Sequence, residues 1–106
     1  MLAASEVEMK RFSIEKYDAL FEAILKLKTL EECHLFFEDM FTVKELEAIS
    51  QRLEVAAMLR EGKNYSEVSR VTGASTATIS RVNKCLNYGN GGYDVVLGEK
   101  SPEGEN

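Results

Sequence analysis

The chain is short of the residues on which most enzymes and extracellular scaffolds are built. It has no tryptophan, one histidine, two cysteines and one proline in 106 residues. Two cysteines are too few for a disulfide framework, and Cys33 and Cys85 have no further Cys or His at ligand spacing, so no zinc site is expected. Reduced, buried thiols are the expectation, and His34 reads as a packing or surface residue. One His and two Cys do not make a nucleophile with its base, and no glycine loop carries a phosphate-binding lysine, so the sequence argues against an enzyme. Asn87 to Gly92 has the glycines of such a loop, but no strand precedes it, and it reads as a hinge. No run of 18 apolar residues and no basic, apolar leader is present, which gives the expectation of a cytoplasmic protein that neither spans a membrane nor is exported.

Period-two alternation is also missing, and what replaces it is helical. Thr42 to Glu45 reads as a capping box, flanked by Phe41 and Leu46 in staple positions. The apolar residues Leu46, Ile49, Leu53, Ala56 and Ala57 then recur at helical spacing until Arg60 and Gly62 stop the run. Thr29 to Glu32 reads as a second box, opening a helix through about Met40. A first helix holds Ile14, Tyr17, Leu20, Phe21, Ile24 and Leu25, starting at Ser13 or, with a box at Ser5 to Glu8, earlier. The fold class is all-α, a helical bundle. The expected organisation is one helical domain over residues 1–98 and a disordered acidic tail over 99–106, with Tyr93 to Leu97 forming a turn or short strand against the body.

Residues Asn64 to Leu86 carry the functional signal. Val68, Val71, Ile79, Val82 and Leu86 fall where two helices joined by a tight turn would face each other. Gly73 sits at the reversal, where φ > 0 is favoured, the small Ser69 lies one turn before it, and Ser75 is placed to cap the second helix. Outward on that second helix lie Thr76, Ala77, Ser80, Arg81 and Lys84, which are short or basic side chains. Ser75 to Ser80 carries no charge, whereas an ordinary helical hairpin exposes long Glu and Lys side chains. Such a face suits docking in the major groove of DNA, where bases and phosphates are in reach.

Net charge opposes this reading at first sight, because DNA affinity depends on neutralising phosphates and the chain carries −5. Distribution answers the objection. Between residues 60 and 86, Arg60, Lys63, Arg70, Arg81 and Lys84 stand against Glu61 and Glu67, a local +3, while every other region is acidic. The predicted DNA-binding residues are therefore Arg70, Ser75, Thr76, Ala77, Thr78, Ser80, Arg81 and Lys84. The first two helices meanwhile carry more apolar surface than one small domain covers, including Leu27, Leu30, Leu35, Phe36, Phe37, Met40 and Phe41. A homodimer would bury it and pair two reading helices.

The stretches Phe41-Thr42-Val43-Lys44-Glu45-Leu46-Glu47-Ala48-Ile49, Gln51-Arg52 and Gly73-Ala74-Ser75-Thr76-Ala77-Thr78-Ile79-Ser80-Arg81 resemble the Trp repressor superfamily, and most closely its YerC/YecD-type branch. The resemblance covers Phe41 to Leu86 well and the first helices more loosely. It implies an intertwined helical homodimer acting as a transcriptional regulator, most simply a repressor, on a two-fold symmetric operator of double-stranded DNA. It also implies that Thr76, Ala77, Thr78 and Ser80 face operator DNA, and that Arg52 and Arg81 occupy the places of the two arginines that sandwich a bound tryptophan. Val82 and Cys85 stand where the effector pocket has glycine and serine, and a valine where a flat ring must slide typically costs ~1–3 kcal/mol of overpacking. Tryptophan is therefore not expected as corepressor, and no cofactor is assigned. Arg52 is then left for an ion pair with a partner chain and Arg81 for phosphate. The alternative function is a helix-turn-helix-shaped module that binds another protein of the transcription machinery.

Overall fold

Most helices in the computed structural model, which describes residues 14–98, begin or end where a local chemical signal puts them. The elements are α1 (Asp18–Leu25), α2 (Leu30–Met40), α3 (Val43–Arg60), α4 (Tyr65–Thr72), α5 (Thr76–Tyr88) and α6 (Gly92–Leu97), with no strand among the described residues. All-α is therefore the fold class. The Ser5 to Glu8 box, the Ser13 start and the 99–106 tail lie outside the described residues. The chain divides between Phe41 and Thr42 into two units.

In the first unit, the Thr29 hydroxyl caps α2 by accepting from the Glu32 N–H at 3.0 Å. The return bond differs from the predicted box: the Glu32 carboxylate accepts from the N–H of Lys28, one residue before the cap, at 2.8 Å. Phe37 links the aromatic residues of α2, edge-on to Phe36 and stacked on Phe41 with ring centres 5.0 Å apart. Leu25, Leu30, Leu35 and Met40 remain exposed. Cys33 is half-buried rather than buried.

The second unit holds the core. At Thr42 the full reciprocal box forms, with Thr42 Oγ1 accepting from the Glu45 N–H and the Glu45 carboxylate accepting from the Thr42 N–H at 2.9 Å. From this start α3 runs for 18 residues and packs against both α4 and α5. Val55 and Ala56 of α3, Val68 of α4, Ala74 of the turn, and Ile79 and Val82 of α5 form one buried cluster, with Met58, Leu59, Leu86, Tyr93 and Leu97 packed around it. Of the predicted stripe Ala56 is in the core and Leu46 and Ala57 are half-buried, but Val55, which lies outside it, is buried and two stripe residues are not. Ile49 and Leu53 stay 40% and 43% exposed, because α4 and α5 cover only the C-terminal half of the helix and meet it on the Val55 side.

Two further differences lie near the C-terminus. α5 continues to Tyr88, past the expected break at Asn87, and of the turn or short strand expected at Tyr93 to Leu97 the structure has a short helix, whose Tyr93 and Leu97 pack on the core as expected. Arg60, only 14% exposed at its side chain, fixes that helix by donating to the Asp94 carboxylate at 2.7 Å and to the Gly98 carbonyl.

Candidate nucleic-acid interface

α4 and α5 form the predicted helix-turn-helix, and its turn is closed by hydrogen bonds that leave few polar groups idle. Asn64 caps α4 by accepting from the Glu67 N–H at 2.9 Å. Gly73 ends the helix in the left-handed region, φ 74, and its N–H donates to the Ser69 carbonyl at 2.8 Å. Thr72 Oγ1 donates to the Val68 carbonyl and accepts from the Ala74 N–H, while the Ser69 hydroxyl donates to the Ala74 carbonyl. Ser69 is therefore more than a small residue at a close approach. Ser75 caps α5 as expected, with Oγ accepting from the Thr78 N–H at 3.2 Å.

Val68, Ile79 and Val82 face inward and Leu86 packs beside them, but Val71 is 46% exposed. Val68 and Thr72, one turn apart, are covered positions of α4, and Val71, though three residues from Val68, lies beyond what the neighbouring helices cover.

The outward ridge of α5 consists of Ala77, Ser80, Arg81 and Lys84, all exposed, at the i, i+3, i+4, i+7 spacing that lines one helix face, with the exposed Thr76 beside it one turn before Ser80. Thr78 is half-buried, and its hydroxyl accepts from Ser75 at 3.1 Å. The first turn of α5 carries no acidic residue, so nothing there opposes an approaching phosphate at the positive end of the helix. Neither Arg81 nor Lys84 is paired with a carboxylate among the described residues.

The other cations of the basic zone differ. Arg60 is committed to Asp94, a pairing across 34 residues that no local pattern announces. Arg70, by contrast, is 69% exposed at its side chain and holds the Glu67 carboxylate at 2.7 Å. Glu67 is held below the ordinary carboxylate value by this hydrogen bond and then by the charge of Arg70, with a smaller push from Lys63.

The four residues at the expected effector positions differ in burial. Arg52, Arg81 and Cys85 are exposed, while Val82 is part of the core. An open cleft lies elsewhere, lined by Leu46, Glu47, Ser50, Gln51, Glu54 and Thr72. Inside that lining the Gln51 side-chain amide donates to the Thr72 carbonyl at 3.1 Å, tying α3 to the turn. Sequence reasoning gave Gln51 no such role, and no spacing rule would have revealed it.

The family model described as Trp repressor protein matches residues 15–101. The protein YerC of Bacillus subtilis (strain 168) is 57% identical over 83 residues, covering 78% of this chain and 80% of that one. A solved TrpR-like protein from Eubacterium eligens ATCC 27750 is 57% identical and superposes with a TM-score of 0.75, covering 78% of this chain and 86% of that chain. A crystal structure of a candidate Trp repressor from Staphylococcus aureus is similar at 48% identity and a TM-score of 0.74, with 78% and 83% covered.

Proposed function

The chain belongs to the Trp repressor family, and on that premise we propose that it is a sequence-specific DNA-binding transcriptional regulator, a repressor that acts by occluding promoter DNA. The observation that carries the reading is the ridge of α5. Thr76, Ala77 and Ser80 are exposed, uncharged and short, and they are flanked by Arg81 and Lys84, which pair with no carboxylate among the described residues. A helix with such a ridge can enter a groove roughly 12 Å wide without stranding long charged side chains, and its hydroxyls can bond several base edges. Arg81 and Lys84 then supply phosphate contacts.

A homodimer completes the reading. Val43, Ile49 and Leu53 line an exposed apolar strip of α3, and α1 and α2 expose Leu25, Leu30, Leu35 and Met40. Burial of these faces against a second copy removes the patches from water and supplies two reading helices for half-sites about one DNA turn, ~34 Å, apart. Residues 1–98 then act as one DNA-binding module. Tryptophan is not the corepressor in this reading, since Val82 fills core space and a flat ring would have to displace it. The regulator works from the cytoplasm without a cofactor.

Binding of a short labelled duplex across a salt series tests the proposal. Arg81→Ala and Lys84→Ala should each weaken binding and flatten its salt dependence by roughly one phosphate contact. Identical isotherms for wild type and both variants would overturn it.

A further inference from the structure

Three helices among the described residues place a glutamate at the third position after the capping residue, and only one of these glutamates leaves the helix start alone. Glu45 closes the box at Thr42, and Glu32 reaches back to the Lys28 N–H. Glu67 stands at the same place in α4, where Asn64 already accepts its N–H, but its carboxylate turns forward and takes the Arg70 guanidinium through Nη2 at 2.7 Å and Nε at 3.4 Å. It is also the one carboxylate between Lys63 and Tyr88.

Resting on the DNA-binding reading above, we propose that Glu67 is a specificity-determining residue: it withholds Arg70 from the phosphates of unselected DNA and yields it only where the ridge of α5 docks closely. The contrast with Arg60 supports a releasable pair. The Arg60 side chain is nearly buried, and its two acceptors lie on and just beyond α6, so freeing it would undock that helix. The Arg70 side chain is largely in water and hydrogen-bonds only Glu67 among the described residues. An exposed pair of this kind holds its partners weakly enough for a phosphate to replace the carboxylate. The replacement leaves Glu67 beside a polyanion, with Lys63 the nearest cation acting on it. That repulsion is tolerable when a full set of ridge contacts forms and decisive when it does not. In loose complexes the basic zone therefore presents fewer working cations than its composition suggests, which limits trapping on the large excess of competing sequence.

A double-mutant cycle separates this role from simple charge removal. Wild type, Glu67→Gln, Arg70→Gln and the double variant are titrated with a mixed-sequence duplex and with a duplex selected from random DNA, each over a salt series. The expected result is that E67Q tightens mixed-sequence binding several-fold and steepens the logarithmic salt slope by about 0.9, one further phosphate contact. The selected duplex gains less, so discrimination falls. In the R70Q background the same E67Q change leaves the slope where it was. An equal gain with and without Arg70, or an unchanged slope in E67Q, overturns the proposal while leaving DNA binding intact. Failure of the wild type to bind either duplex in a salt-dependent way instead overturns the functional reading on which it rests. Near-identical helix signals and melting midpoints for the four proteins exclude an effect through folding.

Discussion

Gln51 of α3 and Thr72 of α4 are joined by a hydrogen bond of 3.1 Å that links the long helix to the turn of the reading unit. The bonds that otherwise close this turn come from within α4 and the turn itself, so Gln51 supplies its hydrogen-bonded tie to α3 beside the packing of Ala74. Gln51→Leu removes the donor and strands a partly buried carbonyl, for a loss of about 1–3 kcal/mol. The midpoint of urea unfolding should fall with an unchanged m-value. Binding to a selected duplex should weaken more than binding to mixed sequence, because the angle of the reading helix is then less strictly held.

Gly73 offers a cleaner backbone test. At φ 74 with nothing within 4 Å of an added Cβ, Gly73→Ala meets no neighbour and suffers only the left-handed conformation. The expected loss is roughly 1–2 kcal/mol, read by the same unfolding curves. A larger loss would mean that the turn is tighter than its geometry indicates.

Ile79 is fully buried between α3 and α4, while its neighbour Ser80 is exposed. Ile79→Ala should cost about 2–5 kcal/mol through lost contacts and a cavity. Ser80→Ala should change stability by less than about 0.5 kcal/mol while weakening DNA binding. The opposite ranking would invert the assigned faces of α5.

Acid should act through the cap of α3. The Glu45 carboxyl is lowered from its ordinary value of 4.5, first by the Thr42 N–H and next by the Thr42 hydroxyl. A carboxyl depressed in the folded state contributes stability that is complete above its unfolded value and is lost as pH falls through the folded one. Thermal melts should therefore show wild type above Glu45→Gln near neutrality, with the gap closing on acidification below 4.5.

The sequence made some of this legible and not the rest, for physical reasons. Caps are local, so Thr42, Thr29, Ser75 and the Gly73 reversal follow from spacing alone. The ridge of α5 follows too, because helical periodicity assigns Ala77, Ser80, Arg81 and Lys84 to the face away from Ile79 and Val82, with Thr76 exposed at the helix start. Periodicity does not say which partner covers a stripe. Leu53 and Val71 read as inward and stay exposed, since α4 and α5 meet α3 along Val55 and Val68 instead. The thiol of Cys85, expected buried, lies on the exposed side of α5. Pairings such as Arg60 with Asp94 depend on the fold having formed, and charge counting along the chain therefore overstated the free cations of the basic zone.

Whether the ridge of α5 reads DNA sequence is decided by selecting bound duplexes from a random pool at physiological salt with wild type and Thr76→Glu. Thr76 is exposed, so the substitution should leave folding intact while placing a negative charge against the groove. The prediction is enrichment of a two-fold symmetric site by wild type, unchanged by added tryptophan, and none by T76E. A wild-type pool indistinguishable from its input, or the same site enriched by T76E, would contradict it.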